Sequence, residues 1–389
     1  MLRCLSILLL LLGAQDDALK PFDEPMEAQL KLKTPGGALA VVKDGRLVYA
    51  KGFGLGDVVN KAPVEATSMF RIASLSKPIT AVAVLRLAQE GKLDLDAKAF
   101  SLLDLKAPEG ATVDPRLAEI TVRHLLQHTG GWNRDKSGDP MFMAPQISSA
   151  LGVPSPPTSL HIIRYMMGRP LDFDPGAKFA YSNFGYCVLG RIIEQLTGET
   201  YDNHVKKAVL APMGITKMTL GRSLRENREK DEVTYYPGAA KPAKPVFDSI
   251  QEKDVPAPYG SFCLEAMDAH GGWIASAIDL ARFASSLDKV LNEKSLAVMF
   301  AKPSNAGNAP AWYGCGWMIR PAGAEGKSNT WHTGSLPGTS TLLVRRHDGL
   351  VWAAVFNERI KDDKFDPNLH RAADAVKEWP KIDLFEKYK

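Results

Sequence analysis

Cysteine is scarce in this chain: four residues in 389, at Cys4, Cys187, Cys263 and Cys315. They are widely scattered and no C-x-x-C pair occurs. That excludes a disulfide framework and a thiolate zinc site, leaving buried thiols with room for one bridge. Excess charge of one sign is lacking as well. Lys and Arg number 48 against 44 Asp and Glu, a net charge of +4. No basic stripe marks a nucleic-acid surface. Long apolar runs are missing too. The longest, "LSILLLLL" at residues 5–12, falls well short of the roughly 18 residues that span a bilayer. Internal repeats and low-complexity tracts are absent.

What is present at the N-terminus has the order of a secretory signal. Arg3 precedes the apolar run, and the small residues Gly13 and Ala14 follow it. Residues 1–18 are therefore set apart from the fold, with a mature chain beginning near Gln15 outside the cytoplasm. Residues 19–389 give ample length for a real core.

Two β-rich ends flank a helical middle. "GGALAVVKDGRLVYAKGFG" (36–54) alternates apolar and polar residues about Asp44-Gly45, a hairpin signal. Near the C-terminus "AWYGCGWMIR", the stretch around Trp331 and "TSTLLVRRHDGLVWAAVFNE" read as consecutive antiparallel strands, followed by a helix over "NLHRAADAVKEW". Between them lie three helical segments. "SKPITAVAVLRLAQEGKL" reads as an amphipathic helix with Pro78 in its first turn and Gly91 as its stop, and "NFGYCVLGRIIEQLTGET" ends at Gly198. "AIDLARFASSLDKVLNEKS" is a third helix, with Asp279 and Arg282 on its polar side. Segments 133–160 and 222–270, rich in Pro, Gly and charge, are long enough to be binding walls or lids. The resulting class is α+β. One antiparallel sheet, built from about 30–72 and 295–389 and flanked by helices, receives a mainly helical insertion over about 73–294.

The chemistry begins at "FRIASLSKPITA", residues 70–81. Ser74 and Lys77 stand three apart, on one face of a helix start. A serine hydroxyl needs an adjacent base to act as a nucleophile. A lysine serves if burial or another cation lowers its pKa. A serine at a helix start also carries its own N–H in a field suited to an oxyanion. Alone, the pair far more often describes an N-capping serine and a surface lysine. Two further elements follow in order: Tyr181-Ser182-Asn183 just before a helix, and His332-Thr333-Gly334-Ser335 on a strand. S-x-x-K, then S-D-N, then K-T-G, is the triplet of penicillin-recognising enzymes.

With these residues the chain resembles the serine β-lactamase and penicillin-binding protein superfamily, in the branch holding class C β-lactamases, D-Ala-D-Ala carboxypeptidases, D-aminopeptidases and related carboxylesterases. The likeness runs from about residue 30 to 360 and includes "LLQHTGGW" and "GGWIASAIDLARF". It implies a β-lactamase/transpeptidase-like fold and a monomeric serine hydrolase working through an acyl-enzyme, without cofactor or metal. Its substrate would be a small molecule or peptide, peptidoglycan-derived ones among them. D-Ala-D-Ala carboxypeptidase or D-peptidase action comes first, with carboxylesterase and class C β-lactamase as alternatives. The resemblance gives Ser74 as nucleophile, Lys77 as its base and Tyr181 as the group that takes or relays the proton. Asn183 would bind a substrate carbonyl and orient Lys77. The backbone N–H groups of Ser74 and Ser335 would form the oxyanion hole, with Gly334 allowing close approach. Lys77 and Tyr181 remain equal candidates for the first base. A phenol titrates near pH 10, so Tyr181 needs cations beside it, and Lys77 and His332 are the expected source.

His332 stands where many relatives have lysine. Titrating near pH 6.5, it should strengthen the hold on carboxylate substrates only in acid, at the expense of penicillin hydrolysis near neutrality.

Other patterns weigh less. His124 and His128 have i, i+4 spacing, but Leu125 replaces the glutamate of a zinc-protease motif and no third ligand is evident, so a structural helix is expected there. "DKVLN" (288–292) reads as helix surface, and "GFGLG" has no helix after it to make a phosphate loop. The G-x-S-x-G elbow is absent. A penicillin-binding sensor without turnover would be expected to lack one of the three elements, and all three are here.

Overall fold

The computed structural model describes residues 18–323 and 326–388. Most of the expected secretory segment, residues 1–17, lies outside the described residues. Among them no helix is long and apolar enough to cross a membrane.

The two ends of the chain build one sheet. Strands β1 (Gly36–Lys43), β2 (Arg46–Asp57) and β3 (Ala62–Pro63) come from the N-terminal end. The C-terminal end supplies β7 (Trp312–Tyr313), β8 (Met318–Pro321), β9 (Ser328–Leu336), β10 (Thr339–Arg345) and β11 (Leu350–Phe356). The order is β3-β2-β1-β11-β10-β9-β8-β7, antiparallel throughout, so the termini meet where β1 pairs with β11. Asp44 and Gly45 both adopt positive φ in the β1–β2 turn, as a two-residue hairpin with right-handed strand twist requires.

The half-exposed alternation expected of β1 is not found. Ala38, Ala40 and Val42 enter one core, while Leu39 and Val41 enter a second on the opposite face. The second core is closed by the Asp23–Lys31 and Phe365–Ala375 helices through Met26, Phe365 and Leu369. A strand covered on both faces has no reason to alternate polarity.

The first core carries the helical block. The Ser76–Gln89 helix is its axis and is not amphipathic, because every residue from Ser76 to Leu85 is buried. A helix apolar nearly all round is one surrounded by neighbours. Its neighbours include the Asn183–Thr197 and Glu293–Phe300 helices. The third expected helix is two. Ala277–Ser285 ends at Ser286, and Glu293–Phe300 restarts behind its own cap, Asn292. Asp279 is half of a capping box with Ser276, and Arg282 lies over the Phe385 ring. Within "DKVLN", expected as helix surface, Asp288 and Asn292 are exposed but Val290 and Leu291 are buried.

A small sheet, unanticipated from sequence, has the order β4-β6-β5, from β4 (Phe70–Arg71), β5 (Thr219–Leu220) and β6 (Trp273–Ala275). It matters because β4 leads straight into Ser74.

Candidate active site

Ser74 sits on a 3-10 turn, Ala73–Leu75, one step before the helix begins at Ser76. Ala73 has φ of 49°, a left-handed conformation that costs a residue with a side chain about 1 kcal/mol or more. The surroundings hold it there. Ile72 N–H donates to Trp273 O at 3.0 Å, and Thr341 Oγ1 donates to Ile72 O at 3.0 Å. The turn is thus tied to both sheets, and Ser74 is left partly exposed in a buried frame.

Lys77 is fully buried, with Nζ 2.7 Å from Asn183 Oδ1, 3.0 Å from His270 O and 3.1 Å from Ser74 Oγ. Asn183 Nδ2 donates to Asp139 Oδ2 at 2.6 Å, which fixes its amide so that oxygen faces lysine. Burial pulls the Lys77 pKa well below its ordinary value. The Asp139 carboxylate opposes this and the Arg134 guanidinium reinforces it. As an amine, Lys77 has two N–H groups and one lone pair. Asn183 Oδ1 and the His270 carbonyl can only accept, so they take both protons and the lone pair faces the serine hydroxyl.

Tyr181 completes the group. Its ring lies 4.7 Å from Lys77 Nζ on one side and 4.8 Å from the Arg134 guanidinium on another. Burial pushes the phenol pKa up, while Ser74 and Arg134 pull it partly back.

The third motif approaches from the sheet. Trp331 is the last residue of β9 paired with β8, so the strand edge from His332 onward is open toward the Ser74 turn. Gly334 makes the approach possible. A Cβ there would stand under 3 Å from Ile72 O and Thr341 Oγ1, and 3.1 Å from Ser74 N. Thr333 and Ser335 are exposed along this edge.

The charge expected of His332 is overturned. The imidazole is 4% exposed, and burial, with Lys77 nearby, takes its pKa down to about 3. It bonds Thr333 O through Nδ1 at 2.7 Å and the Tyr313 hydroxyl through Nε2 at 3.0 Å. A carbonyl only accepts, so Nδ1 carries the proton and Nε2 accepts from tyrosine. The guanidinium beside the Tyr181 ring is that of Arg134.

Sequence reasoning missed Arg134, Asp139 and the His270 carbonyl. The first two come from segment 133–160, and His270 ends segment 222–270; both stretches read from sequence as binding walls or lids, with no residue in them singled out. Of the two histidines at i, i+4, only His124 is helical. The Val122–Leu126 helix stops before His128, which has φ of 56°. His124 closes a capping box with Thr121. Among the described residues no group of three or more His, Cys, Asp or Glu could hold a metal, and Cys187, Cys263 and Cys315 are unbridged.

The chain has relatives in sequence and fold. A family model described as Beta-lactamase matches residues 17–377. A penicillin-binding protein of Bacillus subtilis (strain 168) is 26% identical over 346 residues, covering 87% of this chain and 72% of its own. The octameric penicillin-binding protein homologue from Pyrococcus abyssi superposes with a TM-score of 0.69 at 25% identity, over 95% of this chain and 79% of that one. D-amino acid amidase from Ochrobactrum anthropi, at 22% identity, shares the fold with a TM-score of 0.70, over 94% and 99% of the two chains.

Proposed function

Since the chain belongs to the beta-lactamase family, we propose that it is a secreted serine hydrolase that cleaves an amide or ester bond through an acyl-enzyme on Ser74. The observation that carries this is the contact of Ser74 Oγ with a fully buried Lys77 Nζ whose other partners both accept. Desolvation favours the amine. Lys77 then takes the Ser74 proton as Oγ bonds to the substrate carbonyl carbon, and the carbonyl π pair moves onto oxygen. The N–H groups of Ser74 and Ser335 hold that oxyanion. Tyr181, kept protonated by burial, gives its proton to the departing nitrogen or oxygen and recovers one from Lys77. Water, deprotonated through the same groups, then attacks the acyl carbon and frees Ser74. Lys77 is thus the first base and Tyr181 the relay.

An uncharged His332 favours substrates held without a cation at that position. Amides of D-amino acids, which present no carboxylate there, lead, the class named for the Ochrobactrum relative, ahead of D-configured peptides. Ester hydrolysis is the second reading, with exposed Phe179, packed against Tyr313, offering an apolar surface near the site to either class of substrate. The apolar run at residues 5–12 supports secretion.

A fluorophosphonate probe tests the core of this. It should label the wild type at Ser74 and leave Ser74→Ala unlabelled; label on another residue, or surviving in that variant, refutes the assignment. Hydrolysis rates for a D-Ala-D-Ala peptide, D-amino acid amides, p-nitrophenyl esters and nitrocefin then rank the substrates.

A further inference from the structure

His128 does none of the chemistry above, yet it touches both flanks of Tyr181. Ala180 N–H donates to the His128 carbonyl at 2.9 Å, and Ser182 N–H donates to its Nδ1 at 3.2 Å. The residues before and after Tyr181 are therefore held by one side chain and its own backbone. The imidazole fills the space between, with ring centroids 4.3 Å from Tyr181, 4.4 Å from Tyr313 and 5.1 Å from Tyr186. Tyr313 in turn bonds His332, so the ring packs between the second and third motifs.

Two features look costly for a residue that only fills space. His128 adopts φ of 56°, unusual for a residue with a side chain. Because Nδ1 accepts, the proton sits on Nε2, which is buried with no hydrogen-bond partner among the described residues. An apolar side chain would avoid that orphan. What it could not do is accept from Ser182 N–H.

We infer that His128 is a positioning residue for Tyr181, setting the phenol against Ser74 and Lys77 through paired hydrogen bonds to Ala180 and Ser182. The inference rests on the Ser74–Lys77–Tyr181 assignment. Misplacement by about 1 Å costs on the order of a hundredfold in rate, so loss of the clamp should appear in kcat rather than in KM. Asparagine tolerates positive φ and offers a short-reach acceptor in place of Nδ1, so it should restore most of the function.

The test is steady-state hydrolysis of p-nitrophenyl acetate by wild type, His128→Leu, His128→Asn, Tyr181→Phe and the Tyr181→Phe/His128→Leu double variant. His128→Leu should lower kcat about a hundredfold with KM within about threefold, and His128→Asn should recover to within about tenfold of wild type. In the Tyr181→Phe background, His128→Leu should add little, because the group it positions is already gone. Losses that multiply in the double variant, or an asparagine variant as slow as leucine, overturn the inference. Should His128→Leu not fold, His128→Gln replaces it, moving the acceptor by one methylene under the same expectations. If the wild type neither turns over the ester nor labels at Ser74, the functional assignment fails instead, and the two failures are distinct.

Discussion

Gly334→Ala is the most direct perturbation of the geometry that would make the site work. The added methyl would sit under 3 Å from Ile72 O and Thr341 Oγ1, contacts that real Cβ atoms essentially never show. Neither atom can step aside alone. They are hydrogen-bonded to each other, and Ile72 is also tied to Trp273. Ordinary contact begins near 3.4 Å, so β9 and the Ser74 turn must separate by roughly 1 Å, with a cost in stability of about 1–3 kcal/mol. The catalytic penalty should be larger. Ser74 N and Ser335 N lie on opposite sides of the gap being widened, and losing one oxyanion donor costs about 100- to 1,000-fold in kcat. Urea unfolding would give the stability term, and p-nitrophenyl acetate turnover with fluorophosphonate labelling the catalytic one. A folded alanine variant that acylates within about threefold of wild type would refute the reasoning, since a donor loss of that kind cannot be so small.

Two charges act on Lys77 with opposite sign, and the acid limb of the pH–rate profile should report both. Asp139 favours the ammonium and Arg134 disfavours it, so Asp139→Asn should move the limb to lower pH and Arg134→Gln to higher pH, by about 0.5–1 unit each; shifts in the same direction contradict this. Folding should be linked to pH through three buried imidazoles. His128, His270 and His332 all have pKa values lowered by burial, so the unfolded chain binds protons that the folded one refuses. Their contribution is complete above about pH 6.5 and is lost progressively as pH falls from there toward the lower folded-state values, at up to about 4 kcal/mol per pH unit for three protons. The raised carboxyls of Glu232 and Asp268 offset part of this. A urea midpoint unchanged between pH 7 and pH 5 would exclude the linkage. With His332 neutral, the ratio of penicillin to ester acylation should stay flat from about pH 5.5 to 8; an inflection near pH 6.5 that His332→Gln removes would show the imidazole charged after all.

The sheet was legible because its signals are local. Asp44-Gly45 specifies a tight turn by its backbone needs alone, and each C-terminal strand is bounded by residues of that kind. Ser74, Lys77, Tyr181, Asn183 and the His332–Ser335 stretch were legible because the spacing and residue types of each short element constrain chemistry before any fold is known. Arg134, Asp139 and His270 obey no such constraint. His270 offers a backbone carbonyl, which any residue carries, and Asp139 acts on Lys77 through Asn183. The break at Ser286 was hidden for another reason. Apolar spacing continues across it, and only Asn292, capping Ser295 N–H, marks the restart.

The charge of His332 failed for a deeper reason, which also bears on how the proposed chemistry is possible. Protonation at neutral pH is a property of environment, and three motif side chains share one environment. Burial lowers the pKa of Lys77 and of His332 and raises that of Tyr181, so one dry pocket pushes all three toward their neutral forms. A wetter pocket would favour a charged imidazole at position 332 and would also ease the desolvation that lowers the Lys77 pKa. The positive charge that the site does retain therefore stands at its exposed rim, on Arg134, where solvent supports it without raising the pKa of the lysine below.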